Sequence, residues 1–135
     1  MTTTKTTLTH TDLTSFSGDV ERYQHPLNRR VIYTPGVQFL AERGQAYWLV
    51  DAIASYFGSD EMQTAIEEDS RLAWLQFWRL EVQEDQKATL TARADSDVTP
   101  FVIQEFQYTD FPLSKVDVWA GNDGTYWTLY LPSEH

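Results

Sequence analysis

One change in hydrophobic period constrains the fold of this chain more than any other feature of its sequence. Up to residue 71, apolar residues recur every three or four positions, which is the spacing of an amphipathic helix. Beyond that residue they alternate with polar residues, which is the spacing of a half-buried strand. The sequence therefore predicts an α+β domain with an N-terminal helical layer packed on an antiparallel sheet.

Three short helices are predicted before the change in period. Thr34 and Pro35 are typical of an N-cap and a first helical residue, and Gly44 is a typical end for that helix. The next segment, 46–57, has the strongest helical stripe: Ala46, Leu49, Val50, Ile53 and Phe57. Its opposite side is also apolar, so we expect a central, buried helix. Ser59 then caps a third helix, whose outer side is acidic.

Five strands are predicted after the change, at residues 74–83, 88–93, 101–108, 116–120 and 125–131. Short connections favour antiparallel neighbours, so we expect a five-stranded antiparallel β-meander with the helices on its tryptophan-rich face. A short β-favouring run, Val31–Tyr33, lies before the helices. The second face of the sheet is apolar at one end, which indicates that a partner or the N-terminal tail covers Leu75, Phe77, Phe101 and Ile103.

The length and composition fit one domain without covalent cross-links. The chain has 135 residues and no Cys, which excludes disulfides, thiol catalysis and thiolate metal sites. Aromatic residues make up 14% of it, enough for a packed core. Thr occupies eight of the thirteen positions from Thr2 to Thr14. We therefore expect a flexible tail at residues 1–14 and a single domain at residues 15–135.

The sequence contains no pattern typical of a targeting or membrane-spanning segment. No apolar run approaches the ~20 residues that a membrane span requires. The N-terminal residues lack the apolar stretch of a secretory signal. A cytoplasmic protein without membrane contact is therefore the expectation.

The charge of the chain is strongly negative and unevenly distributed. The formal net charge is −10, and residues 51–110 hold thirteen Asp and Glu against four Lys and Arg. An acidic surface repels phosphate backbones, so we expect no direct nucleic-acid binding. It suits a basic protein partner, to which an acidic inhibitor would present Glu67, Glu68 and Asp69. The simpler alternative is that the charge only keeps the protein soluble.

Asp51 is the first candidate for acid–base catalysis. It lies in the most apolar helical segment, and a carboxylate in apolar surroundings must be paired, hydrogen-bonded or protonated. Tyr47, one turn away, and either His25 or Arg29 are the groups that could assist it. The favoured alternative is a structural ion pair with Arg29 or Arg30. No nucleophile-elbow sequence accompanies these residues.

No metal site and no cofactor are predicted. His10, His25 and His135 are far apart in sequence, and thiolate ligands are absent. The chain also lacks GxGxxG, GxxxxGK(S/T) and HExxH, so phosphate cradles and zinc-peptidase chemistry have no support.

Aromatic residues around the last predicted hairpin are candidates for binding. Trp119 and Trp127 flank the turn at residues 121–124. If they point outward, they form an aromatic patch of the kind that protein interfaces use. The more common alternative is that such residues belong to the core or pair across strands.

Short motifs spread along the chain resemble those of a known family. They lie at residues 25–27, 33–34, 36–38, 40–42, 46–49, 51–55, 77–78, 108–113 and 131–134. Together they resemble an uncharacterised bacterial family, a domain of unknown function, over most of residues 16–134. The resemblance implies a single small domain, often encoded near mobile elements or plasmids, and it implies no activity or cofactor. It places Trp48, Asp110 and Phe111 in family motifs, and these are further candidate binding residues.

These observations favour a non-catalytic protein-binding domain, whose target is a protein partner or a second copy of the chain. The alternative is a small enzyme that uses Asp51 as general acid or base, which requires Asp51 to line an open pocket. A third alternative is a structural subunit of an oligomer, for which an exposed sheet edge would be the sign.

Overall fold

The computed structural model describes residues 8–14 and 21–135. Within these residues the helices are α1 (His10–Thr14), α2 (Pro35–Arg43), α3 (Tyr47–Tyr56) and α4 (Asp60–Glu68). The strands are β1 (Tyr23–Gln24), β2 (Val31–Tyr33), β3 (Leu75–Val82), β4 (Ala88–Arg93), β5 (Val102–Phe106), β6 (Lys115–Asn122) and β7 (Trp127–Tyr130). Two 3₁₀ turns, Ser70–Ala73 and Pro132–Glu134, lie before β3 and after β7.

The strands form one mixed sheet in the order β1-β2-β7-β6-β3-β4-β5. β2 and β7 are parallel, and the other neighbouring pairs are antiparallel. The predicted α+β class is confirmed, whereas the five-stranded antiparallel meander and the count of three helices are wrong. β2 belongs to the sheet because it pairs with β7, a strand near the other end of the chain, and no local pattern indicates such a contact.

The connection between β5 and β6, residues 107–114, explains why the strands do not follow a meander. It passes the tip of the β3–β4 hairpin, where the Thr109 N–H donates to the Gln86 carbonyl at 2.8 Å. The Gln86 side-chain amide donates to the Thr109 carbonyl, also at 2.8 Å. This link is long enough to cross the hairpin, so β6 pairs with β3 and not with β5.

The helices begin at the predicted capping residues. The hydroxyl of Thr34 accepts a backbone N–H at 3.3 Å at the start of α2, and that of Ser59 accepts one at 3.1 Å at the start of α4. Gly44 ends α2 in a right-handed conformation, so it is required for space and not for its backbone freedom. A Cβ at Gly44 would meet the Phe111 ring at 2.8 Å.

The last residues of the chain close over the start of α2. The Glu134 carboxylate accepts the Thr34 hydroxyl at 2.6 Å, the Leu131 N–H at 2.9 Å and the Gly36 N–H at 3.3 Å. A negative charge is favourable there because the first N–H groups of a helix point at it. A Cβ at Gly36 would lie 2.5 Å from the Glu134 carboxylate, so glycine makes room for this contact.

Trp78 of β3 lies at the centre of the core, between the sheet and the helices. Its ring packs against those of Tyr56, Phe57 and Phe101 at centroid distances of 5.5 to 6.1 Å. Its indole N–H donates to the buried side chain of Gln76 at 3.0 Å, so the polar atom is satisfied. The prediction that the helices pack on a tryptophan-rich face is confirmed. Phe101 also packs on this face, so its predicted place on the second face is wrong.

The described part of the predicted tail contacts the core. Leu8 and Leu13, the two apolar side chains that the tail offers, are both buried. The Ser133 hydroxyl donates to the Leu13 carbonyl at 2.9 Å, which ties α1 to the C-terminal turn. Residues 1–7 lie outside the described residues, and the flexibility of the tail stays a prediction.

The second face of the sheet, which we call the open face, lies opposite helices α2, α3 and α4. Its side chains alternate with core residues along the central strands and include Leu75, Phe77, Arg79, Glu81, Thr91, Arg93, Ile103, Asp117, Trp119 and Tyr130. Phe77 and Trp119 are half-buried, and Ile103 is 64% exposed. The expectation that a partner covers this face stays a prediction.

Candidate functional site

The structure brings together two of the three predicted catalytic residues. The Nε2 atom of His25, in the loop before β2, lies 2.8 Å from a carboxylate oxygen of Asp51 on α3. The Nδ1 atom accepts the N–H groups of Leu27 and Asn28 at 3.1 and 3.0 Å. Because Nδ1 is an acceptor, this hydrogen-bond network assigns the ring proton to Nε2, which donates to Asp51. The imidazole is therefore neutral and has both nitrogens engaged.

The loop that holds His25 is fastened to the end of α3. The side-chain amide of Asn28 donates to the carbonyls of Ala54 and Phe57, both at 3.0 Å. The Ala54 carbonyl also accepts the Phe57 N–H at 3.2 Å, and Asn28 supplies a side-chain donor to both carbonyls at this helix end. The His25–Asp51 bond fixes the other end of the same loop.

This arrangement favours a structural role for the pair. A general base in a catalytic triad uses one nitrogen to bind the carboxylate and keeps the other free for the nucleophile. His25 has no free nitrogen. Asp51 is 61% exposed and bonds to His25, not to Arg29 or Arg30, so it is not in the apolar surroundings that the sequence predicts.

The Tyr47 hydroxyl bonds to neither member of this pair. Its hydroxyl donates to the Glu42 carboxylate at 3.0 Å, and burial together with this bond raises the pKa of Tyr47 to about 12. Burial also raises the pKa of Tyr33, and the negative charges of Asp51 and Glu42 contribute in the same direction. We call Tyr23, Tyr33, Glu42, Tyr47 and Asp51 the tyrosine–carboxylate cluster.

The open face has a concave centre that is lined by aromatic and charged side chains. The cavity has a volume of about 320 Å³, and it is lined by Phe77, Trp78, Arg79, Arg93, Asp95, Ser96, Asp117 and Trp119. The rings of Phe77 and Trp119 meet edge to face at 5.0 Å. Tyr130 and His135 continue the aromatic row beyond Trp119, at 6.1 and 5.1 Å from its ring.

The two guanidinium groups of this cavity differ in their partners. Arg79 donates two hydrogen bonds to the Asp117 carboxylate, at 2.7 and 3.3 Å, and this contact raises the pKa of Arg79. Arg93 donates one long bond, 3.4 Å, to the Thr91 hydroxyl. Among the described residues, no carboxylate lies within ion-pair distance of Arg93.

The five predicted binding residues do not lie on one surface. Trp119 is on the open face, whereas Trp127 packs on Phe57 at 4.6 Å on the helix-covered side. Trp48 packs on Phe106 at 5.0 Å, and Phe111 is buried. Asp110 is exposed in the β5–β6 connection. There the bend is held by the Thr109 hydroxyl, which accepts the Phe111 N–H at 3.2 Å, and not by the predicted Asp110 side chain.

Sequence reasoning missed the charged half of the open-face cavity. Arg79 and Arg93 sit on the polar side of alternating strands, a position that usually indicates only a solvated face. Their alternation with core residues does place them on the side of Phe77. The pairing of β3 with β6, which brings Trp119 beside them, has no local signal.

The acidic helix is exposed as its sequence predicts. Asp60, Glu61, Glu67 and Glu68 lie on the outer side of α4. Asp69 is instead bound to Arg71 at 2.8 Å, and that contact lowers the pKa of Asp69.

The described part of the chain consists of residues 8–14 and 21–135. Within that part of the chain, no three His, Asp or Glu side chains are grouped so that they could ligate a metal ion. Nor does it contain a helix with the length and apolarity that crossing a membrane requires.

A family model described as a family of unknown function, DUF6876, matches residues 7–135. No curated protein and no solved structure matches the chain. The match agrees with the resemblance to an uncharacterised domain, and it supplies no activity for the residues above.

Proposed function

We propose a function for this chain, which belongs to the family of unknown function DUF6876, from the chemistry of its open face. The function is that of a non-catalytic protein-binding domain. Its target is a partner segment that inserts a large apolar side chain into the cavity and places a carboxylate beside Arg93. The observation that carries the proposal is the cavity, in which aromatic rings lie next to a guanidinium without an ion-pair partner among the described residues.

The residue types of the open face support this function. Trp, Tyr and Arg are the side chains that most often dominate the free energy of protein binding, and here Trp119, Tyr130 and Arg93 share one surface. The cavity volume of about 320 Å³ is at the lower end of the range for ligand pockets, so it suits one side chain.

The charge of the open face differs from that of the rest of the chain. The ion pair between Arg79 and Asp117 has no net charge, and Arg93 adds a positive charge beside it. Asp95 lies at the rim of the same cavity. In a chain of net charge −10, a surface with balanced charges is the one where a partner meets the least repulsion.

Site-specific photo-crosslinking in cells that produce the protein tests this function. A photoreactive amino acid replaces Ile103, which is 64% exposed on the open face, in an otherwise unchanged chain. We expect one discrete adduct with another protein. The adduct is lost when Arg93→Ala or Trp119→Ala is added, because each removes a group that the partner contacts.

Two other positions serve as controls. Tyr108 is 70% exposed in the β5–β6 connection and should give no such adduct. In a separate variant, the photoreactive amino acid replaces Glu67 on α4. An adduct from this position, without one from position 103, would instead support an acidic inhibitor of a basic partner. An adduct of twice the mass of the chain would identify a second copy as the occupant. An Ile103 adduct that survives both substitutions contradicts the proposal.

A further inference from the structure

The tyrosine–carboxylate cluster lies at the edge of the sheet and is not used by the proposed binding function. Tyr23 and Tyr33 are cross-strand neighbours on β1 and β2, and their rings stack 5.7 Å apart. Tyr47 and Asp51 are one turn apart on α3 and are exposed on the same side of that helix. The Glu42 carboxylate, from α2, accepts the Tyr47 hydroxyl. Four elements, β1, β2, α2 and α3, thus bring phenol and carboxylate groups to one place.

The Tyr33 hydroxyl, at the same edge of the sheet, is a hydrogen-bonding group without a partner in the described part of the chain. The residue is only 9% exposed, and its hydroxyl forms no hydrogen bond with the described residues. Within the described residues, every side-chain N or O atom that is buried from solvent has a hydrogen-bond partner. Because the Tyr33 hydroxyl has none among these residues, it must be in contact with solvent. His25 follows Tyr23 by two residues, so their side chains lie on the same side of the strand, and the 2.8 Å bond from His25 to Asp51 brings that carboxylate to the same place.

The negative charge of the cluster has no compensating cation within the described residues. Asp51 bonds to the neutral His25, and Glu42 bonds to the neutral Tyr47. Arg43 is adjacent to Glu42 in sequence, but its guanidinium lies over the Phe39 ring at 5.0 Å. Two carboxylates beside aromatic rings therefore face solvent with their charge uncompensated.

We propose that the tyrosine–carboxylate cluster is a binding site for the cationic end of a Lys or Arg side chain. An ammonium or guanidinium group donates to carboxylates and to phenol oxygens, and it is attracted to aromatic faces. The cluster offers carboxylates, phenol oxygens and aromatic rings together at one edge of the sheet. A cation also neutralises the two carboxylates. The site is separate from the open face and does not depend on it.

The test is an NMR titration of the full chain with three blocked amino acids at constant ionic strength. Acetyl-lysine methylamide and acetyl-arginine methylamide carry one cation each, and acetyl-norleucine methylamide is neutral. We expect saturable shifts from the two cations at the amides of Glu42, Tyr47 and Asp51, with millimolar affinity for these single-residue probes. The neutral probe leaves these amides unchanged.

Two substitutions remove charge from the site without removing its internal hydrogen bonds. In Asp51→Asn the amide oxygen still accepts from His25, and in Glu42→Gln it still accepts from Tyr47. Each should weaken the binding of both cations by about tenfold, or ~1.4 kcal/mol. Asp85→Asn is the matched control, because Asp85 is also 61% exposed and also loses one negative charge. It should leave the affinity unchanged.

Three outcomes overturn this inference. One is an equal loss of affinity in Asp51→Asn and Asp85→Asn, which would mean general attraction to an acidic chain. Another is shifts that spread over the outer side of α4 to the same extent as over α3. The third is equal binding of the neutral probe, which would mean an apolar site.

Discussion

The two faces of the sheet place adjacent aromatic residues of one strand in opposite surroundings. Trp78 points to the helices, where it is fully buried and its indole N–H is bound by Gln76. Phe77 points to the open face, where it meets Trp119 and lines a cavity. Because successive side chains of a strand point to opposite faces of the sheet, one strand supplies both the buried and the open surroundings. One face of these strands therefore forms the core, and the opposite face is the one that we propose for binding.

The largest difference between the faces is expected for their two central tryptophans. Trp78→Ala leaves a cavity in the core and should lower the free energy of unfolding by about 3–5 kcal/mol. Trp119→Ala removes a half-buried ring and should cost about 1–2 kcal/mol. Urea denaturation followed by circular dichroism measures both. Equal losses would show that the open face is as important for stability as the core.

Adding one methyl group at each of two glycines tests how tightly the helix-covered side and the open face are packed. Gly36→Ala drives a Cβ against the Glu134 carboxylate and Leu131, and it should cost about 1–3 kcal/mol. At Gly121, on the open-face side of β6, the nearest atom to a Cβ is in the Tyr130 ring at 3.4 Å, an ordinary contact. Gly121→Ala should change stability by less than about 0.5 kcal/mol. Thermal unfolding of both variants checks this, and the reverse order contradicts it.

The ion pair of the open face should contribute little to stability. Arg79 and Asp117 are 40% and 30% exposed, so solvent screens their interaction. Arg79→Ala should cost about 0.2–1 kcal/mol, and the cost should shrink at high salt. Chemical denaturation at low and high NaCl provides the measurement. A large, salt-independent cost would mean that this face is drier than the structure implies.

The smallest expected effect is a change in the pH dependence of stability that Tyr130 causes. The pKa of Tyr130 depends on how strongly its hydroxyl is shielded from water on the open face. Burial raises the pKa of Tyr130 above its usual value near 10. The folded state favours the neutral phenol, so this contribution is complete below pH 10 and is lost as the pH rises through the folded pKa. Tyr130→Phe should therefore lose less stability than the parent protein as the pH rises above about 10. Identical losses in parent and variant would contradict the burial of this ring.

Features of the fold that depend on adjacent residues were predictable from sequence. Thr34 and Ser59 cap helices because their hydroxyls bond to N–H groups three residues away. The alternation of β3 likewise predicts that Trp78 is buried and that Phe77 lies on the other face. The order of the strands was not predictable, because a link such as 107–114 can join neighbours or cross a hairpin.

The candidate sites depend more strongly on distant contacts. His25 and Asp51 are 26 residues apart. In the sequence, Asp51 is notable as a carboxylate in an apolar segment, and His25 as the one histidine outside the tail and the terminal residue. Their sequence positions could not indicate that Nδ1 of His25 accepts two backbone N–H groups, which is the observation against catalysis. The open-face cavity likewise needs β3, β4 and β6 to be adjacent in the sheet.

The most direct test of this division between the faces is to measure stability and partner capture in the same variant, Trp119→Ala. We predict that the variant stays folded, with a loss of about 1–2 kcal/mol in unfolding free energy, and that it no longer forms the Ile103 adduct. A folded variant that still forms the adduct would show that the open face does not bind the partner.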